Sequence, residues 1–298
     1  MTPTVSVVIA TLNRIHYLSE ALKSALSQTF TDFEVLVCDD GGKEETKAVC
    51  EAFHDERIVH IVNERPLGAA MNSLSGIMHA RSDLIAFLND DDRWTPEFLA
   101  KTANPLLQDP GAVLVFSDHW IIDAGGTRLN LETDRNSSRW GRDTLGAGVV
   151  SNCPELLARN SIPLAMAAVF RRSAVDWNQY SSNVGGTYDY FLSYCLLRNG
   201  GKVVYVPERL TEYRVHGGSA SAEFNTANTK ASAYVNGLIL RDPKFISIRG
   251  DIRARCVGLE KHLVAAFLRK FELLPAMRHC YRWARYRLGR EVQGNAHA

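Results

Sequence analysis

Three consecutive aspartates close an apolar segment in Phe87-Leu88-Asn89-Asp90-Asp91-Asp92. Adjacent carboxylates repel one another, and a hard divalent cation is their economical partner. Mg2+ or Mn2+ keeps one or two carboxylates and takes its other oxygens from water and phosphate groups. An acidic motif at a strand end is therefore suited to holding a metal–diphosphate complex. The plain alternative is a solvated acidic turn. A second pair, Asp39-Asp40, precedes Gly41-Gly42. One carboxylate there could accept a hydrogen bond from a base imide N–H or a ribose hydroxyl, although Asp-Gly-Gly is also a good turn by itself.

The elements that would position these residues alternate in type. Short apolar runs at 5–10, 33–38, 57–62, 84–88 and 112–116 read as strands. Between them, apolar residues recur at helical spacing, as in Tyr17, Leu18, Ala21, Leu22, Ala25 and Leu26. Helices are expected at 44–53, 67–80 and, capped by Thr95 with Pro96 in its first turn, up to about Leu107. Strands joined by single helices imply right-handed crossovers and a mostly parallel sheet flanked by helices, an α/β fold. Ligands of such sheets lie beyond the carboxyl ends of the strands. Thr11-Leu12-Asn13-Arg14, Asp39-Asp40-Gly41-Gly42 and Asn89-Asp90-Asp91-Asp92 all fall there.

Beyond Ser117 the rhythm changes. Ala124-Gly125-Gly126 reads as the turn of a hairpin with arms at 120–123 and 127–131. The stretch 134–152 reads as a loop, 165–170, 203–206 and 211–215 as strands, and 187–197 as a helix. From Ser221 the pattern is helical: Leu263, Phe267 and Phe271 make one apolar stripe, and Pro275 divides two helices.

With 46% hydrophobic and 22% charged residues, the 298-residue chain has a globular composition. From Arg249 onward, eleven Lys or Arg stand against four Asp or Glu, a net of +7, so the remainder carries −6 of the overall +1. That basic segment suits an acidic partner surface. Six scattered cysteines without a C-x-x-C pair read as reduced thiols. The opening Met-Thr-Pro-Thr suggests no leader peptide, and no apolar run approaches the ~20 residues of a membrane span. The tail 293–298 is expected to fray.

Several of these segments together resemble the family 2 glycosyltransferases. They are Val5-Ser6-Val7-Val8-Ile9-Ala10-Thr11-Leu12-Asn13-Arg14, Ser27-Gln28-Thr29-Phe30, Phe33-Glu34-Val35-Leu36-Val37-Cys38-Asp39-Asp40-Gly41, and the acidic run with Trp94 and Pro96. The likeness is strong to about residue 120 and thins afterwards. It implies a GT-A fold. It also implies that Asp40 faces the donor base, that Thr11, Asn13 and Arg14 line the nucleotide pocket, and that Asp91 lies near ribose and metal. Asp92 would be the direct metal ligand, Asp90 a weaker candidate in the same pocket, and Asn72 a family asparagine beside the donor. Leu12 departs from the usual aromatic, and Asn89 from a common aspartate.

In the later half, Asp189 of Tyr188-Asp189 matches the family's catalytic base; the plain alternative is a helix N-cap. Tyr213-Arg214-Val215-His216, followed by Ser219 and Ser221, resembles the family's Tyr-Arg-x-His segment, with His216 in the metal shell or at the diphosphate. The resemblance thus implies inverting transfer of a sugar from a nucleotide-diphosphate donor, with Mn2+ or Mg2+, to an acceptor hydroxyl in bacterial-type polysaccharide, glycolipid or glycoconjugate assembly. The acceptor is expected to be a carbohydrate, lipid-linked or other hydroxyl compound.

Three rival readings fit the residues less well. A sugar-phosphate nucleotidyltransferase would need a glycine-rich basic loop after the first strand, and an oxidoreductase a G-x-G-x-x-G there; both are absent. A non-catalytic carbohydrate- or nucleotide-binding module has no need of Asp189. The expected organisation is a glycosyltransferase domain at 1–220, with its nucleotide-sugar half at 1–118 and acceptor half at 119–220, and a basic helical extension at 221–298. A cytoplasmic location follows, with peripheral contact of the C-terminal helices at the anionic inner face of a membrane. No nucleic-acid partner is expected.

Overall fold

In the computed structural model, which describes residues 2–217 and 226–289, β1 (Val5–Thr11) lies at the centre of the nucleotide half. Its Val5, Val7 and Ile9 face one buried cluster with Leu18, Ala21, Leu22 and Ala25 of α1 (Ile15–Leu26). Val8 faces the other cluster, with Ala70 and Ile77 of α3 (Ala69–His79). A strand buried on both faces reads as a continuous apolar run. Each such side chain contributes roughly 1.5–3 kcal/mol on burial. A methyl group at Gly76 would come within 2.4 Å of Val8, so only glycine lets α3 approach so closely.

The remaining strands are β2 (Phe33–Asp39), β3 (Ile58–Val62), β4 (Leu84–Phe87), β5 (Arg93–Trp94), β6 (Ala112–Ile122), β7 (Gly148–Val149), β8 (Ala168–Arg171) and β9 (Lys202–Arg214). The other helices are α2 (Glu44–Ala52), α4 (Phe98–Gln108), α5 (Asn130–Arg139), α6 (Cys153–Arg159), α7 (Leu164–Ala167), α8 (Tyr188–Asn199), α9 (Thr226–Arg241), α10 (Arg249–Arg269) and α11 (Leu273–Arg287). The sheet order is β3-β2-β1-β4-β8-β6-β9-β5, with β7 alongside β9. The ladders β3-β2-β1-β4 are parallel, as is β6-β9, whereas β8 runs antiparallel to both β4 and β6. Thr11 pairs with Asp39, so the first two expected ligand loops leave the sheet side by side.

Several local expectations change. The 120–131 hairpin keeps its turn, with Asp123 N–H donating to Thr127 O, but its second arm is a single bridge at Arg128. The expected loop at 134–152 contains most of α5, a helix poor in apolar residues and hence hard to read from periodicity. Polar anchors hold it: Ile121 N–H donates to Thr133 Oγ1 and Ser137 Oγ donates to Asp118. The two late strands are one, β9; Pro207 falls where the β6-β9 register slips, so its missing N–H disturbs no ladder bond. Instead of Thr95, Gln28 serves the start of α4 from α1's far end, accepting from Leu99 N–H and donating to Thr95 O.

Helices α9–α11 add Val235, Ile239, Ile252, Cys256 and Tyr286 to the same cluster as β4 and α8. The expected boundary at 220/221, Ser219, Ser221 and the tail 293–298 lie outside the described residues. Among those described, the cysteines are unbridged, and no helix is long and apolar enough to cross a membrane.

Candidate active site

The acidic run leaves β4 directly into a buried ring of partners. Asp90, Asp91 and Asp92 are 4%, 7% and 0% exposed. Thr11 Oγ1 donates to Asp90 Oδ2 at 2.8 Å. Arg14 Nη1 lies 3.1 Å from Asp90 Oδ1 and 2.8 Å from Asp91 Oδ2. Burial pushes the Asp90 carboxyl up to about 6, with Asp91 adding to the rise while Arg14 and Thr11 oppose it.

Asp92 is tied to the framework. Its Oδ1 accepts from the backbone N–H of Arg214 at 2.8 Å, and its Oδ2 from Asn89 Nδ2 at 2.8 Å. Burial and the neighbouring Asp91 charge hold its carboxyl well above the usual range. The Arg214 guanidinium is itself fully buried. It donates to Asp91 O, Ala124 O and Glu20 Oε2 at 2.8, 3.0 and 2.6 Å, and lies over the Tyr17 ring. His216 packs at a tilt against Tyr17, with ring centroids 4.9 Å apart, and places Nε2 3.1 Å from Asp91 Oδ2.

Asp92, the expected metal ligand, accepts one hydrogen bond from the protein at each oxygen. Asp91 Oδ2, paired with Arg14, and His216 Nε2 lie together beside it. A hard oxygen and an imidazole nitrogen, backed by two buried carboxyls, suit Mn2+ or Mg2+. No group of three or more His, Cys, Asp or Glu is preassembled as a ligand set among the described residues. Water and donor phosphate would therefore complete the shell.

A second cluster lies beside the first. Asp40 accepts from Leu67 N–H at 2.7 Å, Gly68 N–H at 2.8 Å and Asn63 Nδ2 at 3.0 Å. Asn72 is 2% exposed; it donates to Cys38 O and accepts from Asn63. Both side chains thus hold the β2 end against the start of α3. Asn13 adopts a left-handed conformation with φ 58°, and a methyl at Gly41 would come within 2.5 Å of its Oδ1. The Thr11–Arg14 and Asp40–Gly41 loops therefore touch.

Asp189 lies in the first turn of α8, where an anion is favoured. It is not the N-cap, which is Thr187; its Oδ1 accepts from Tyr190 N–H. Burial raises its carboxyl above the ordinary value, the direction a proton acceptor needs. The preceding Tyr188 packs edge-on against Phe87 at 5.6 Å, and burial, with the neighbouring Asp189, Asp90 and Asp92 charges, opposes its ionisation. The start of α8 thus packs against the strand that leads into the acidic run.

Sequence reasoning missed Arg214 as the organiser, although it stands inside the quoted Tyr-Arg-x-His segment. It also missed Asp118, buried against Arg142 at 2.6 Å, with His119 beside it. The signal was present: Ser117-Asp118-His119 interrupts an apolar strand. A cavity of about 500 Å3 opens there, lined by Asp118, Trp120, Arg142, Tyr205 and Arg209.

The family model for glycosyl transferase family 2 matches residues 6–162. The Escherichia coli UDP-Glc:alpha-D-GlcNAc-diphosphoundecaprenol beta-1,3-glucosyltransferase WfgD is 33% identical over 105 residues, covering 35% of this chain and 42% of its own. WfaP, an Escherichia coli enzyme of the same description, is 26% identical over 226 residues, 73% of this chain and 80% of its own. The GalNAc(5)-diNAcBac-PP-undecaprenol beta-1,3-glucosyltransferase of Campylobacter jejuni is 34% identical over 128 residues, 41% of this chain and 40% of its own. The match thus spans less than half the length of the first and third of these relatives. Among solved structures, S. aureus TarS 1-349 in complex with UDP-GlcNAc has a TM-score of 0.62 at 13% identity, covering 97% of this chain and 93% of its own. The mannosyltransferase PcManGT from Pyrobaculum calidifontis in complex with GDP-Man and Mn2+ has a TM-score of 0.63 at 17% identity, covering 97% and 83%. These likenesses establish the GT-A fold.

Proposed function

The chain belongs to glycosyl transferase family 2, a family of sugar-transferring enzymes, and on that premise we propose that it moves a sugar, with inversion, from a nucleoside-diphosphate donor to a hydroxyl of a lipid-linked acceptor. The observation that carries this reading is the buried ring of the acidic run, Arg14, Arg214 and His216, reached from a strand whose Phe87 packs against Tyr188, the residue before Asp189. The acceptor class is supported by the relatives' names, which describe glucosyl transfer to diphospho-undecaprenol-linked sugars.

In this reading Asp189 takes the proton from the acceptor hydroxyl as it attacks the anomeric carbon. Asp91 and His216 would hold the divalent cation, with Asp92 and Asp90 supplying negative charge behind them. When bound, that cation offsets the charge that builds on the departing nucleoside diphosphate. Arg14, released from Asp91, adds a guanidinium to the diphosphate. Thr11 and Asn13 shape the nucleotide wall. Asp40 and Asn72 keep the base-side loop in register, and Asp40 faces the base through that loop.

The test is Asp189→Asn. General-base removal lowers turnover by about 10²–10⁴-fold, whereas donor affinity, measured by calorimetry with Mn2+, stays near that of the parent. Turnover unchanged in this variant would exclude Asp189 as the base.

A further inference from the structure

The turn between α10 and α11 exposes an apolar surface that nothing in the described fold covers. Phe271 is 90% exposed, and Leu273, Leu274, Met277, Tyr281 and Leu288 are 60–74% exposed. Leu274, Met277, Tyr281 and Leu288 recur at three, four and seven residues along one face of α11 and its end. The opposite face is the buried one, carrying Ala276, His279 and Tyr286. Arg278, Arg282 and Arg285 recur at four and three residues along the flank of the apolar stripe. From Arg269 to Arg287 there are six Lys or Arg and one acid, Glu272.

Phe271 reaches this position through a defined break. Helix α10 ends at Arg269, and Phe271 takes φ 58°, which a bulky side chain adopts only under constraint. Beneath it, Phe267 stacks flat on His279 at 5.3 Å, and His279 bonds buried Glu260 at 2.6 Å. The tip is thus held on a rigid base.

That base leads to the active site. Lys230 of α9 lies over the Phe267 ring at 4.8 Å. One residue on, Ala231 packs against Gly185, and Asn228 against Gly186, where a methyl would come within 2.5 Å of Asn228 Oδ1. Gly185, Gly186 and Thr187 lead into α8, whose second residue is Asp189.

We propose that the α10–α11 turn and the outer face of α11 dock on an anionic phospholipid bilayer. An apolar stripe flanked by arginines is the composition of a helix lying in the membrane interface. The charge is complementary to phosphatidylglycerol-type headgroups and disfavours a neutral surface by comparison. The usefulness of this contact rests on the lipid-linked acceptor reading, because it would hold the protein at the surface that carries such an acceptor.

The test is co-sedimentation of the full chain with phosphatidylcholine vesicles, with and without phosphatidylglycerol. Binding to the anionic vesicles is expected to exceed binding to neutral ones by more than about tenfold. The triple change Phe271→Ser, Leu274→Ser and Met277→Ser removes exposed side chains only, and is expected to weaken vesicle binding by at least about tenfold with an unchanged melting temperature. Arg278→Glu with Arg282→Glu probes the same surface through charge if the first variant misfolds. A dye on Cys280, in a Cys153→Ser background, is expected to be quenched by nitroxide-headgroup lipid. Undiminished vesicle binding by both variants overturns the proposal. So does a wild-type dimer that the variants convert to monomer without any vesicle binding, since the face would then be a protein interface. Donor calorimetry on the same samples reports separately on the transferase reading: vesicle binding without donor binding sinks that reading alone.

Discussion

Replacing Arg214 by methionine is expected to loosen the acidic run without removing any carboxylate. The guanidinium belongs to the largest fully buried side chain among the described residues. It closes three acceptors at once: Asp91 O, Ala124 O and Glu20 Oε2. Methionine fills much of the volume and donates nothing. The Asp91 carbonyl loses its partner in a buried setting, at ~1–3 kcal/mol, whereas Ala124 is exposed and its carbonyl regains water. Glu20 is 31% exposed and keeps Arg93 at 3.2 Å, so its charge adds little. The sum is a loss of about 2 kcal/mol, which for a chain of this length lowers the melting temperature by ~4 °C. Asp92 keeps its bond from the backbone N–H at position 214, so Mn2+ binding should weaken through misplacement of Asp91 rather than vanish. Arg214→Lys should fall between, because one ammonium cannot span three acceptors in the plane of a guanidinium. Circular dichroism melts and Mn2+ calorimetry on the two variants decide the matter. A melting temperature for Arg214→Met within about 1 °C of the parent would refute the reasoning that this side chain knits the site.

Two further outcomes follow from the same electrostatics. Arg14→Ala removes the cation now paired with Asp91 at 32% exposure. Mn2+ affinity measured without donor should rise about fivefold, corresponding to a part-exposed pair of ~1 kcal/mol, while donor affinity falls; weaker Mn2+ binding would show that Arg14 positions Asp91 rather than competing for it. His119 is held neutral, its pKa lowered to about 3 by burial and by the Arg142 charge. The unfolded chain takes up that proton below about 6.5, so the stability His119 contributes is present above 6.5 and is lost as pH falls toward 3. His119→Phe should flatten the decline of melting temperature across this window, and an unaltered slope would count against the assignment.

The parallel half of the sheet was legible because burial on both faces leaves a local signature. Residues 5–11 and 33–39 are largely apolar, and their polar ends mark the ligand edge. The second half was less so. Helix α5 is pinned by Thr133 and Ser137 to β6, and hydroxyl anchors have no periodicity to detect. Likewise Lys202–Arg214 forms one strand because its pairing with β6 slips register around Pro207, a property of the pair rather than of either segment.

The same limit governs the site. Three aspartates in a row announce a cation, but their division of labour depends on which oxygens the fold has already engaged. Asp92 is occupied by the Arg214 backbone and Asn89. Asp91, one residue earlier, meets His216 from the far end of β9. No spacing in the sequence encodes that meeting. At the C-terminus the reading inverts: arginines are countable in the sequence, whereas the apolar stripe expected from Leu263, Phe267 and Phe271 is broken by a left-handed residue. Leu263 and Phe267 are buried, and Phe271 is turned outward at 90% exposure. A phenylalanine held outward beside an arginine row costs solubility, and it is coherent only where a second surface waits to receive it. The basic excess that the sequence shows and the apolar tip that the fold exposes then serve the one contact proposed for them.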